Sequence, residues 1–478
     1  MASTVSTASI ESRREAALRF LYERIDYERA LAVPYDTQDF KLERMRELLH
    51  RLGNPQQGMP IVHVAGTKGK GSTTMMVATV LTAAGYRAGA FTSPHLHCME
   101  ERLAVDGQSC SAEELVELIE QVTPVVLEMD RLAAAACPEE TGPTYFEITT
   151  ALALLHFARH GVDAAVLEVG MGGRLDSTNV CQPRVAVITS ISFDHMRQLG
   201  NTLAAIAREK AGIIKPGVPV VSGVVDEEPR EVIRQTCREL GCRLAELGID
   251  FDYRYDPPRG LEETASPGRL DFAYPAPDGP LELRDLSLSL VGRHQAANAA
   301  VAIATLAELR RAGWNIPEQA IREGLARVVW PARAEVVARR PVIVVDAAHN
   351  LASIDALVHV LDESFTVRRR LLVFATTQEK DLRGMLGRIL GRFDHVVFTR
   401  YWNNPRGVPP EELDDLAEQL TGRRCQVCSR PSEAWDVVRS MAAPDDLICI
   451  TGSFFIAAEM RLQIGARPFT MDGSPTHA

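Results

Sequence analysis

The sequence predicts an α/β protein of two domains: an N-terminal P-loop-type domain built on a mainly parallel sheet, then a smaller C-terminal Rossmann-like α/β domain. Three observations predict it. The chain is 478 residues long, more than one compact domain usually holds. Short apolar runs alternate with segments of helical period, the pattern of a parallel sheet covered by helices. The first such run, 61–65, leads directly into a glycine-rich turn and a helix-forming stretch, the order of strand, phosphate loop and helix.

Taken in order, residues 13–52 carry apolar side chains at helical spacing: Leu18, Leu21 and Ile25, then Leu42, Met45, Leu48, Leu49 and Leu52. They predict two leading helices. After the strand at 61–65 comes a helix over 73–84. Further on, the pattern gives a helix over 145–159, strands at 164–168 and 185–190, and a helix over 203–211. The stretch 251–285 is rich in Pro, Gly and charge, with short alternations such as Leu281-Glu282-Leu283, and reads as a β-rich excursion reaching to about 290. A second α/β alternation follows Trp330-Pro331, with strands at 342–346, 371–375, 395–399 and 447–451. The expected domains are therefore 1–330 and 331–478, with a ligand cleft expected between them and a loose tail after residue 467.

Composition narrows the function. Apolar residues make up 46% of the chain and charged residues 24%, an ordinary globular balance. A net charge of -11 argues against a surface built to hold a nucleic-acid backbone, yet leaves room for a local phosphate pocket. No apolar run reaches membrane-spanning length, and residues 1–12 lack the basic start and apolar core of a secretion signal, so the expected location is the cytoplasm. Nine scattered cysteines, an odd number, fit reduced thiols better than a disulfide framework. The one close pair, Cys425 and Cys428, has no second pair or histidines beside it in sequence and reads as ordinary thiols on a strand.

The chemistry concentrates where strands end. In Gly66-Thr67-Lys68-Gly69-Lys70-Gly71-Ser72 the glycines let backbone N–H groups crowd an anion, a helix N-terminus adds a favourable field, and Lys70 can reach terminal phosphates. The segment departs from GxxxxGK[ST], with Val64 at the first glycine position and Gly71 after the lysine. Ser93 and His95 follow an apolar strand. Glu168 closes the next one and opens a flexible loop holding Arg174 and Asp176; a carboxylate there is the hard oxygen donor Mg²⁺ prefers beside phosphates. A further strand end leads to Asp194-His195, and Lys210 closes the helix over 203–211. Later come Asn298 in an Ala-rich helix, Arg333 after the domain boundary, and Asp346 and His349 at another strand end. Each residue alone reads as readily as a turn or surface group. Three successive strand ends delivering polar groups to one edge point to a site.

With these pieces in this order, the chain resembles the folylpolyglutamate synthase/dihydrofolate synthase family, a branch of the Mur-ligase-like ATP-dependent amide ligases. The resemblance runs from about residue 15 to 462 and is carried by eight ordered motifs: HVAGTKGKGS (63–72), TSPHL (92–96), YFEITTALA (145–153), LEVGMGGRLDSTN (167–179), SFDH (192–195) with REKAGI (208–213), GRHQAANAA (292–300), WPARAE (330–335) and DAAHN (346–350). It implies that Gly66 to Ser72 hold the ATP phosphates, that Ser93 and Glu168 coordinate one Mg²⁺ and His195 a second, and that Lys210 matches the lysine the family carbamylates. It further implies that Asn298 meets the adenine, that Arg333, Asp346 and His349 reach the nucleotide, and that Thr144, Tyr145, Phe146 and Glu147 with Leu175, Asp176 and Ser177 face the pterin substrate. Four departures stand out: Lys68 replaces the usual Asn, Ala332 and Ala347 replace common glycines, and Phe454-Phe455-Ile456-Ala457-Ala458 stands where an aliphatic run ending in Gly is expected.

The implied reaction is ATP-dependent ligation of L-glutamate to dihydropteroate or a reduced folate through an acyl phosphate, with Lys70, Lys210 and His349 as the catalytic residues, in a monomer. The alternatives are a Mur-type peptide ligase on another carboxylate, disfavoured because the glycine loop begins near residue 65 with no nucleotide-sugar domain before it, and an inactive nucleotide-binding relative, for which Lys68 is the best argument.

Overall fold

The computed structural model describes residues 7–26, 42–136, 141–194, 196–275, 279–402 and 406–465. His195 and the tail after residue 467 lie outside them. The chain forms two compact units: one runs to Asp252 and includes Phe272–Leu283 and Asn298–Leu325, and the other comprises Tyr253–Asp271, Arg284–Ala297 and the chain from Ala326 onward. The division thus differs from the expected break at 330/331. Parts of the excursion group with the second unit for a physical reason. Leu261 N donates to Ser364 O, Arg339 Nε donates to Leu261 O, and Leu261 belongs to that unit's apolar core.

The first unit is organised by an eight-stranded sheet of β1 (Ile61–Ala65), β2 (Ala88–Phe91), β3 (Leu103–Val105), β4 (Gln108–Ser109), β5 (Ala164–Glu168), β6 (Val185–Ile188), β7 (Val220–Ser222) and β8 (Leu244–Glu246), in the order β4-β3-β2-β5-β1-β6-β7-β8. From β2 to β8 the pairs are parallel; only β3 and β4 run antiparallel to their neighbours. β1, β5 and β6 are buried at every position, as parallel strands covered on both faces must be. Val64 stands opposite Glu168 and Ala65 opposite Ile188, so the loops after β5, β1 and β6 leave one sheet edge side by side.

Helices α1 (Thr7–Tyr22), α2 (Leu42–Arg51), α3 (Lys70–Ala83), α4 (Ala112–Ala136) and α5 (Tyr145–His160) belong to this unit. The two leading helices are present. α3 begins three residues before the expected start, because Gly69, at φ 83°, makes the turn from which the helix can begin. α5 has a capping box, Thr144 with Glu147, and ends at Gly161 in the left-handed conformation. α4 has no counterpart in the sequence reading; Pro124 interrupts its pattern from within. One apolar cluster gathers Leu48, Phe91, Leu115, Leu152, Phe157 and Leu167, and a second gathers Ala65, Ile188, Ile206, Val220 and Ile233.

A small sheet of β9 (Asp252–Asp256), β10 (Gly268–Tyr274) and β11 (Leu281–Leu288), in the order β11-β10-β9, occupies the stretch read as β-rich. The second unit carries β12 (Glu335–Arg339), β13 (Val342–Val345), β14 (Arg370–Phe374), β15 (His395–Phe398), β16 (Gln426–Val427) and β17 (Leu447–Thr451) in the order β12-β13-β17-β14-β15-β16. All its pairs are parallel except β12 with β13. The four strands expected there are present within a residue at each end. Cys425 and Cys428 flank β16 as free thiols, and burial raises both.

Candidate active site

The glycine loop is held from beneath by the end of β6. Thr67 N donates to Ser190 O (2.7 Å), Lys68 N to Ser190 Oγ (3.0 Å), and Thr189 Oγ1 to Lys68 O (2.7 Å). Ser192 N donates to Thr67 Oγ1, whose hydroxyl donates to Ser192 O. A Cβ at Gly66 would lie 1.9 Å from Thr189 Oγ1, so only glycine allows this approach. Gly69, Gly71 and Ser72 complete the turn into α3, whose first turn has no side-chain cap. Its first N–H groups are thus suited to an anion, with Lys70 at the same point. Asn298 lies against this turn: a Cβ at Gly69 would fall 2.1 Å from its Oδ1.

Lys68, expected among the phosphate ligands, pairs with Asp194 at 2.7 Å. The Asn-to-Lys departure from the family pattern is thereby matched by a carboxylate one residue before His195. Ser190, Ser192 and Asp194 were not singled out as partners of the loop by spacing, since they are more than 120 residues away in sequence; a hydroxyl-rich strand end was the only signal.

Glu168 and Ser93 are brought together. Ser93 N donates to Glu168 Oε2 at 3.0 Å, and Glu168 is buried. The contact is made by the Ser93 backbone; the Glu168 carboxylate and the Ser93 hydroxyl are both oxygen donors of the kind that suits Mg²⁺. Lys210, on the helix Leu203–Ala211 capped by Thr202, is buried and donates from Nζ to Gly66 O at 2.9 Å. Burial, reinforced by the charge of Lys70, brings its ammonium down to about 7.

The segments matched to the pterin substrate are well anchored. Glu147 is buried; it accepts from Thr144 N at 2.7 Å and from Arg44 Nε at 2.8 Å. Tyr145 is buried and stacks with Tyr22 at 6.0 Å. Phe146 packs over Gly170, where a Cβ would come within 2.5 Å of its ring. Asp176 is buried and stitches its own loop, taking Met171 N on one oxygen and Thr178 N and Oγ1 on the other. Thr178 Oγ1 meets His63 Nε2 at 2.7 Å. Leu175 packs on the cluster around Ile206, and Ser177 opens a short 3-10 turn. His63, Arg44 and Thr178 are supporting residues that the sequence reading did not name.

In the second unit, Asp346 accepts from Ala334 N and Ala348 N, each at 2.7 Å. Its carboxylate therefore pins the loop bearing Arg333 to the loop bearing His349. Ala332 and Ala334 have φ of 54° and 47°, the region where glycine is at ease, which explains the family's glycine at 332. His349 Nδ1 lies 2.8 Å from Ala347 O, a contact that orients the ring. The Arg333 guanidinium lies 5.7 Å from the Phe454 ring centroid.

A phosphate loop, an acidic strand end and a buried lysine on one sheet edge define a nucleotide-dependent ligase of the Mur type. In agreement, residues 64–306 match the model of the Mur ligase middle domain and residues 332–454 that of the Mur ligase, glutamate ligase domain. Within that class the chain belongs to the folylpolyglutamate synthase/dihydrofolate synthase family, ligases that form carbon–nitrogen bonds with ATP. It is 35% identical over 425 residues to the dihydrofolate synthase/folylpolyglutamate synthase of Bacillus subtilis, covering 88% of this chain and 94% of that one. It is 35% identical to the Mycobacterium tuberculosis counterpart over 90% and 91% of the two chains. Among solved structures, M. tuberculosis folylpolyglutamate synthase complexed with ADP superposes with a TM-score of 0.85 at 32% identity, over 96% and 100%. Escherichia coli FolC in complex with DHPP and ADP gives 0.77 at 30%, over 95% and 98%.

Proposed function

We propose that this chain joins L-glutamate to the carboxylate of dihydropteroate, and extends reduced folates in the same way, using ATP and two Mg²⁺ ions as a cytoplasmic monomer. The observation that carries the reading is Lys210: a buried amine 2.9 Å from the carbonyl of Gly66, beside Lys70, brought down to about 7. Such a group has a free-amine population near neutral pH that an ordinary exposed lysine lacks. That amine can add to CO₂ with loss of a proton, giving a carbamate that offers oxygen rather than ammonium to a cation.

Lys70 and the N–H groups of the first turn of α3 hold and neutralise the phosphates while the substrate carboxylate takes the γ-phosphoryl group. The glutamate amine then attacks the acyl carbon and phosphate leaves. Ser93 and Glu168 would hold one Mg²⁺, and His195 with carbamylated Lys210 the second. Bound there, the ions lower the charge on the transferring phosphoryl group. Asn298, against the loop at Gly69, would meet the base. Arg333 and His349 are proposed as nucleotide contacts, and Asp346 as the residue that positions both. Phe146 and Leu175 offer apolar surface to a pterin, while Tyr145, Glu147 and Asp176 hold its walls.

The test is phosphate release from ATP with glutamate and Mg²⁺, comparing dihydropteroate, tetrahydrofolate and no pterin, with products weighed by mass spectrometry. A gain of one glutamate on dihydropteroate establishes the synthase step, and a gain on tetrahydrofolate the extension step. ATP binding with neither gain would refute the folate assignment.

A further inference from the structure

Four side chains with metal-binding donors meet at the end of α5 opposite its Thr144 cap. Cys110 stands just before α4, Glu114 lies in its first turn, and His156 and His160 are one turn apart on α5, which puts both imidazoles on one helix face. Glu114 Oε1 lies 2.9 Å from His156 Nδ1 and 3.0 Å from His160 Nε2. The two imidazole centroids are 4.5 Å apart. Donor atoms of Cys110, Glu114 and His156 all lie within 4.8 Å of one another, the one such group among the described residues. The edge of a tetrahedron around zinc is about 3.3–3.8 Å, so small side-chain rotations close these three donors, and His160, which already meets Glu114, has to turn in as the fourth.

Burial and access are arranged as a bound ion would require. Cys110 and His156 are buried, whereas the His160 side chain is 42% exposed and leaves an entry path. Without an ion, His156 Nδ1 meets Glu114 Oε1 and the Cys110 thiol donates to Ser111 O at 3.5 Å; burial pushes the thiol well up, so a metal has to displace its proton on binding. Burial also opposes charge on Glu114, and the hydrogen bonds from His160 and His156 outweigh it. The Arg159 charge favours a thiolate at Cys110 but repels an incoming cation. Its guanidinium is directed to Gln121 at 2.6 Å and Glu117 at 3.5 Å.

We propose that Cys110, Glu114, His156 and His160 form a four-ligand site for a zinc-class divalent ion, tying the start of α4 to the end of α5. The donors select the metal: one sulfur, two nitrogens and one oxygen suit zinc, whereas Mg²⁺ and Ca²⁺ take oxygen sets. Four protein ligands with no position left open mark a structural rather than a catalytic ion. The site stands apart from the proposed Mg²⁺ ligands, none of which is a cysteine.

The test uses the full chain freed of metal with a chelator and titrated with Cd²⁺ and Zn²⁺ in excess Mg²⁺. One equivalent of Cd²⁺ should bring up a thiolate-to-metal charge-transfer band, and Zn²⁺ should raise the melting temperature. Cys110→Ser should abolish the band. His160→Gln, at a partly exposed position that does not threaten folding, should weaken Zn²⁺ binding at least about 10-fold, the loss seen even for outer-sphere partners. Ligase turnover with Mg²⁺ should stay as it was in His160→Gln. A folded wild-type chain without the band, or a band and affinity untouched by both substitutions, overturns the proposal.

Discussion

Lys70 and His63 show how differently two polar residues of one strand–loop–helix unit are used. Lys70 stands at the start of α3 and is proposed as the cation that balances the transferring phosphate, so Lys70→Ala should lower kcat at least about 100-fold while the far-ultraviolet spectrum is retained. Assaying phosphate release decides it. His63, in the middle of β1, is fully buried, and burial holds its imidazole down to about 3. Below the unfolded value of about 6.5 the unfolded chain takes up a proton that the folded chain refuses. Stability should therefore fall as pH drops from about 6.5 towards 3, by about 1.4 kcal/mol per pH unit from this residue. Urea titrations of wild type and His63→Asn should show a shallower acid slope in the variant; equal slopes would exclude His63 as the cause.

Between elements, two close fits decide whether the loops stay in place. Gly69 combines φ 83° with a neighbouring Asn298 that leaves no room for a Cβ. Gly69→Ala carries a backbone cost of about 1–2 kcal/mol plus the clash, and should weaken ADP binding about 10-fold or more by calorimetric titration. Arg44 of α2 and Glu147 of α5 form an ion pair with 9% and 5% side-chain exposure. Replacing one partner strands a buried charge, so Arg44→Met should cost about 3 kcal/mol and lower the melting temperature. A double variant, Arg44→Met with Glu147→Gln, should recover part of the loss. No recovery would mean that Arg44 acts through its packing and not through the pair.

For the whole molecule, two compact units, each with its own large sheet and apolar core, predict melting that is not two-state. Scanning calorimetry should give a van 't Hoff enthalpy below the calorimetric one, and equal values would make the chain one cooperative body. ADP at about 100 times its Kd should stabilise the unit bearing the glycine loop by about 2.7 kcal/mol. The shift should appear in the transition that Gly69→Ala weakens.

The sequence by itself determined the α/β class, the strand–loop–helix at 61–83 and the family, because apolar periodicity and a strand-to-helix glycine turn are local. Glu168 stood out because it sits where an apolar run stops and Lys70 because it lies in the glycine turn after one, whereas Lys210 stood out only through the family resemblance. Tertiary structure decided what those residues touch. The hold of Ser190 and Ser192 on the loop, the pairing of Lys68 with Asp194 and of Arg44 with Glu147, and the meeting of Glu114 with His156 and His160 all join positions that are distant in the chain. So does the grouping of 253–271 and 284–297 with the second unit. Side-chain partners of this kind are fixed by strand order and helix packing, which place residues 40 to 130 apart in sequence within hydrogen-bonding distance, and no local pattern encodes that.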